Sequence, residues 1–207
     1  MKRKISYLKA LVIVHGKSEK QMSKFIIQEL RLPMTIESNH NGANPIQITS
    51  VMNVLNNTKM KNVRAFIKNY PRVEWDFKNK KIAEDFKIFI IMDTEDCTEK
   101  QRQDYINKEM FKGHWAYDYI VPIYNTPNLE SVLSKSGIPF RKSGDERKTE
   151  YIKIFPTDGN VSKSDIIQIS DFAKMLSKCK TTNLEEFPNF CLSCTNNEED
   201  NKNFTNS

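Results

Sequence analysis

No apolar run in the 207 residues reaches the ~18 that a helical membrane span needs, which excludes such a span. Six glycines are far from the one-in-three repeat of collagen. Four cysteines, Cys97, Cys179, Cys191 and Cys194, are too few for a disulfide scaffold. Cys191-Leu192-Ser193-Cys194 has no second pair at zinc spacing, so two half-buried thiols near a helix end is the better reading. Met1-Lys2-Arg3-Lys4 is basic, but the apolar run behind it is short and lacks a small-residue cleavage site. A cytoplasmic protein with reduced thiols and no membrane partner is the expectation. Internal repeats and heptads are missing too, which removes solenoids and coiled coils.

What remains is material for a core. Hydrophobic residues are 38% of the chain, with 12 Phe, 7 Tyr and 2 Trp, too many for a disordered protein. The length suggests roughly 1.4 domains, better read as one core with insertions than as two. We expect a single α/β domain over 1–194, its core motifs in 10–155 and a helical part in 160–194, then a polar, disordered tail over 195–207. The net charge is +6, from 32 Lys plus Arg against 26 Asp plus Glu. That balance suits nucleic acid, and equally a solvated lysine-rich surface.

Ala10-Leu11-Val12-Ile13-Val14 is a continuous β-branched run, the pattern of a strand buried on both faces of a parallel sheet. It ends at His15-Gly16-Lys17-Ser18-Glu19. Ser18 and Gln21 read as a capping box, and Met22, Phe25, Ile26 and Leu30 follow at helical spacing. The chain therefore opens as strand, glycine turn, helix. Residues 33–37 suggest a second strand, 39–45 a loop, and 46–70 one or two helices. Phe86 to Met92 is the clearest strand and runs into Asp93-Thr94-Glu95-Asp96. A polar helix over 98–112 follows, then a strand over 119–124 in which Pro122 argues for a bulge or a place near an edge. Residues 125–128 form a turn, a helix begins at 129, 141–150 is a charged insertion, and 165–179 is an amphipathic helix.

Two buried strands thus end in polar clusters, and in a parallel sheet such ends converge on one crevice. Neighbouring carboxylates repel and gain protons unless a cation sits between them. Hard oxygen donors of this kind suit Mg2+ or Mn2+. Gly16 lets the backbone approach a ligand, and the helix behind it points free N–H groups at an anion. Carboxylates with a metal beside a phosphate-binding turn are the ingredients of phosphodiester chemistry. Asp96 could instead cap the 98–112 helix, and Asp93 could close a turn. The second cluster on another buried strand favours the chemical reading.

The order strand, acid-Gly-x-x-Glu, helix, then a later strand ending in Asp-x-Asp, resembles the TOPRIM domain of type IA topoisomerases, bacterial primases, recombination-repair proteins and OLD-type nucleases. It is most similar to the small RloB-like TOPRIM proteins of bacterial restriction and phage-defence loci. Thr126-Pro127-Asn128-Leu129-Glu130 echoes their Asn-Pro-x-x-Glu stretch and Tyr151-Ile152-Lys153 their Tyr-x-Lys. The likeness covers about 10–155. It implies a TOPRIM-like (Rossmann-like), mostly parallel central sheet flanked by helices, and a metal-dependent nuclease or related phosphotransfer enzyme with a partner in a defence system. Two positions depart from the pattern: His15 stands where the family has its first glutamate, and Glu95 where it has the second acid of Asp-x-Asp. Either His15 replaces that glutamate as ligand or base, or Glu19 serves from the first helical turn, or the chain keeps only binding.

Carried onto this chain, the resemblance implies that Asp93 and Glu95 hold Mg2+ or Mn2+, with Asp96 in support and Glu130 beside a second ion. Glu19 or His15 completes the coordination or takes a proton from water. Gly16, Lys17 and Ser18 hold the phosphate, and Lys153 offsets charge on the phosphoryl oxygens. The basic stretch with Lys59, Lys61, Arg64, Lys68 and Arg72 would track a nucleic-acid backbone. Tyr70, Trp75 and Phe77 among them could stack on bases, or belong to the core.

Overall fold

The structure, a computed structural model, describes residues 6–143, 151–155 and 165–203. Four strands form the central sheet: β1 (Ala10–Val14), β2 (Met34–Glu37), β5 (Lys87–Asp93) and β6 (Ile120–Asn125). Their order is β2-β1-β5-β6, and every pairing is parallel. Two short hairpins lie outside it, β3 (Trp75–Asp76) with β4 (Lys81–Ile82) and β7 (Arg141–Ser143) with β8 (Tyr151–Lys153). The helices are α1 (Lys17–Glu29), α2 (Val51–Leu55), α3 (Val63–Asn69), α4 (Glu99–Ile106), α5 (Leu129–Lys135), α6 (Asp165–Leu176) and α7 (Glu186–Asn203).

Because side chains alternate across a strand, the apolar runs feed two cores. Ala10, Val12, Val14, Phe89, Ile91 and Ile123 pack with α1, α5, α6 and α7 on one face. Leu11, Ile13, Ile88, Ile90 and Met92 pack with α2, α3 and α4 on the other. The result is a three-layer, Rossmann-like α/β arrangement. Among the described residues no helix is long and apolar enough to cross a membrane.

Pro122 sits in the edge strand β6, as its missing N–H requires. The open side of that strand is covered by a strap. Asn183 Nδ2 donates to the Pro122 carbonyl at 2.9 Å, and the Tyr124 N–H donates to Asn183 Oδ1 at 3.0 Å. Tyr105 of α4 donates its buried hydroxyl to the carbonyls of Ile90 at 2.5 Å and Ile123 at 3.1 Å, tying β5 to β6.

Several boundaries differ from the sequence reading. Helix α1 starts at Lys17, with Gly16 as its cap and Glu19 in the N3 place, not with Ser18 and Gln21. The Glu19 carboxylate reaches back to the Gly16 N–H at 2.9 Å, so capping begins two residues earlier. The 46–70 stretch is a 3-10 turn and two short helices, and the 98–112 helix ends at Ile106, followed by a 3-10 turn over Glu109–Phe111. Helix α7 runs past Thr195 to Asn203, into the stretch expected to be a tail. Most of the charged insertion lies outside the described residues.

Candidate functional site

β1 lies beside both β2 and β5, and the chain leaves β1 for β2 before crossing back to β5. The junction of β1 and β5 is therefore the point where strand order reverses, the usual crevice for ligands in open α/β sheets. Its register sets Val14 opposite Ile91, and the His15 N–H donates to the Ile91 carbonyl at 2.8 Å. The two polar clusters thus leave the sheet from the same end of two neighbouring strands.

His15 is held on three sides by backbone. Besides its bond to Ile91, its carbonyl accepts from the Ile46 N–H at 2.8 Å, and its Nδ1 lies 2.8 Å from the Ile46 carbonyl. A carbonyl only accepts, so Nδ1 carries a proton and Nε2 is the nitrogen turned away from the Ile46 carbonyl. An imidazole oriented in this way is prepared to act as a ligand or a base.

Glu19 projects inward from the first turn of α1 and is 2% exposed. Burial pushes its carboxyl up, the neighbouring His15 pulls it down, and Glu95 adds to the rise. Asp93 ends β5. Its Oδ1 accepts from Asn125 Nδ2 at 3.1 Å and from the Leu129 N–H at 3.2 Å. Its carboxyl is pushed up to about 9, chiefly by burial, then by the charges of Glu19 and, to a smaller extent, Glu95. Glu19, Asp93 and Glu95 therefore share one field, which raises proton affinity at the first two.

The remaining predicted acids point elsewhere. Glu95 is exposed and accepts from Asn128 Nδ2 at 2.6 Å. Asp96 accepts from Gln47 Nε2 at 3.1 Å. It does not cap α4, a role taken by Thr98, whose side chain accepts from the Gln101 N–H. Glu130 pairs with Lys142 at 3.2 Å. Lys153 lies in β8 opposite Arg141, and its side chain is outside the described residues. Among the described residues no three or more His, Cys, Asp or Glu side chains are gathered as a ready metal cage. At the junction stand two carboxyls with raised proton affinity, Glu19 and Asp93, with the His15 imidazole beside Glu19.

The glycine turn differs from expectation in one respect. The Gly16 N–H, expected to face an anion, is instead taken by Glu19. Over this turn lies the loop that carries His40, Asn41 and Gly42, all at positive φ. Gly42 has φ +87, and a Cβ on it would stand 2.9 Å from Lys17 Cα, so the loop rests backbone to backbone on the turn.

Lys59, Lys61, Arg64, Lys68 and Arg72 are all exposed, Lys59 pairing with Glu37 at 3.4 Å. Tyr70 belongs to the core, where its hydroxyl donates to Glu37 at 2.6 Å, and Trp75 is half-buried against the same cluster. Phe77 is 85% exposed beyond β3, and it alone of the three is open for stacking.

Sequence reasoning missed the amide partners: Asn125 under Asp93, Asn128 on Glu95 and Gln47 on Asp96. It also missed the Ile46 backbone that orients His15. The asparagines stood out only as turn formers. No family model, curated protein or solved structure matches the chain.

Proposed function

We propose that the protein is a divalent-metal-dependent phosphodiesterase of the TOPRIM type, a nuclease acting on nucleic acid. The observation that carries this reading is the meeting of buried Glu19 with Asp93 where strand order reverses. Two such carboxylates with raised proton affinity are costly in an apo protein and become favourable when a cation offsets them.

In this reading Glu19 and Asp93 hold Mg2+ or Mn2+, and Glu95 joins them by releasing Asn128. Asp96 supports the rim from its bond to Gln47. The bound ion supplies Lewis-acid activation of a phosphoryl oxygen and of water. His15, oriented by Ile46, presents Nε2 as a further donor or as the group that accepts the proton. Lys17, Ser18 and the N-terminal end of α1 receive the phosphate. The exposed run from Lys59 to Arg72 neutralises backbone phosphates without reading sequence, with Phe77 as a stacking surface.

The decisive experiment is cleavage of plasmid, single-stranded DNA and RNA with Mg2+ or Mn2+, wild type against Asp93→Ala. Metal-dependent cleavage by wild type that the variant loses supports the reading; identical behaviour on every substrate removes it.

A second reading is a non-catalytic module that binds nucleic acid, a nucleotide or a partner protein. The outward turn of Asp96 and Glu130 favours it. Calorimetric titration with Mn2+ separates the two. Salt-dependent nucleic-acid binding with no divalent-ion binding near neutral pH selects the second.

A further inference from the structure

We infer that the pocket at the end of β2 is a nucleobase subsite beside the carboxylate crevice; the inference deepens the reading of the chain as acting on nucleic acid. The pocket has a volume of about 390 Å³ and is lined by Glu37, Asn39, Pro45, Ile46, Asn53, Val54 and Asn57 among others. That size lies within the range of small-molecule sites.

Its chemistry selects the ligand. Asn53 supplies an amide donor and a carbonyl acceptor and Asn39 and Asn57 supply amide donors, the Asn39 Oδ1 lying 2.8 Å from His40 Nδ1; together they complement a base edge. Pro45, Ile46 and Val54 supply apolar surface for a flat ring. Asn57 already uses Oδ1 for the N–H groups of Lys59 and Met60, at 2.8 and 3.1 Å, which fixes its amide and leaves its NH2 as the donor. Glu37 is occupied by the Tyr70 hydroxyl and by Lys59, so the wall presents no uncompensated charge. A neutral, planar, hydrogen-bonding group fits such a lining better than an ion or an aliphatic chain.

Position links the pocket to the crevice. Ile46, one of its walls, is the residue whose backbone brackets His15. Asn39 and Pro45 belong to the loop that rests through Gly42 on the Gly16–Lys17 turn. One loop therefore borders the base pocket on one side and the phosphate turn on the other. A nucleotide lying along it would place its base among the asparagines and its phosphate toward α1.

The test is calorimetric titration of the full chain, without metal, with adenosine, guanosine, cytidine and uridine, and with ribose 5-phosphate as a base-free control. At least one nucleoside is expected to bind. Asn53→Leu, at an exposed position of α2, is expected to weaken it about ten-fold, the loss of one good polar contact. The melting temperature should be unchanged, and Asp93→Ala should keep the nucleoside affinity. Val54→Phe, which fills the pocket, should also abolish binding. No nucleoside binding at millimolar concentration overturns the inference, as does an affinity that neither pocket variant alters. Nucleoside binding in a protein that cleaves nothing would sink only the catalytic reading; cleavage without a nucleoside site would sink only this one.

Discussion

The charge of Glu19, on the first turn of α1, raises the proton affinity of Asp93, at the tip of β5. Each acid is tied to backbone, Glu19 to the Gly16 N–H and Asp93 to the Leu129 N–H. Neither can swing away without undoing a helix start.

This predicts a stability cost that depends on pH. The Asp93 carboxyl sits at about 9 in the folded protein against an ordinary 3.8. The native state therefore holds a proton that the unfolded chain releases. Stability from this group is full below the ordinary value and drains away as pH rises toward the folded one. Asp93→Asn should melt higher than wild type at pH 8, by about 2–4 °C for each kcal/mol relieved in a chain of this size. The two proteins should converge near pH 4. A variant that melts lower than wild type at pH 8 would contradict this.

Divalent ions should act on the same pair. Mn2+ is expected to raise the melting temperature of wild type, more at pH 8 than at pH 6, because the ligands must lose protons to bind it. Glu19→Gln and Asp93→Asn should remove most of that gain. Thermal scans at fixed ionic strength report the difference directly.

His15 should set the choice of ion. Imidazole is a softer donor than carboxylate, so wild type should favour Mn2+ over Mg2+. His15→Glu should narrow that preference. Calorimetric affinities for the two ions, compared between the proteins, test it apart from any catalysis.

The basic face predicts a salt signature. Arg64→Glu with Lys68→Glu should weaken nucleic-acid binding and reduce the slope of log K against log salt by about 2. Phe77→Ala should weaken single-strand binding by ~1–3 kcal/mol and leave that slope alone. Fluorescence anisotropy across a salt series distinguishes the two effects.

Much of the frame was legible because burial writes itself into composition. Ala10–Val14 and the run ending at Asp93 are apolar on both faces, so they had to be central strands, and Pro122 called for a bulge or an edge, of which the fold uses the edge. The convergence of Glu19 and Asp93 followed from that parallel arrangement. The start of α1 was misplaced because Glu19 caps with its side chain from N3, and a Ser-x-x-Gln pattern nearby imitates the same signal. Where Asp96 and Glu130 turn is decided by Gln47 and Lys142, long-range partners that no local spacing encodes. The Ile46 clamp on His15 is backbone to side chain, and a backbone carbonyl leaves no mark in sequence.

The crossover from β2 to β5 has a kinetic corollary. Glu19 belongs to the β1-α1-β2 unit, whereas Asp93 follows only after α2, α3 and the β3–β4 hairpin. Mutual repulsion of the acids is thus absent until β5 docks along β1. Refolding should accordingly be faster in mildly acidic buffer than in alkaline buffer, where the docking of β5 on β1 must bring two anions together.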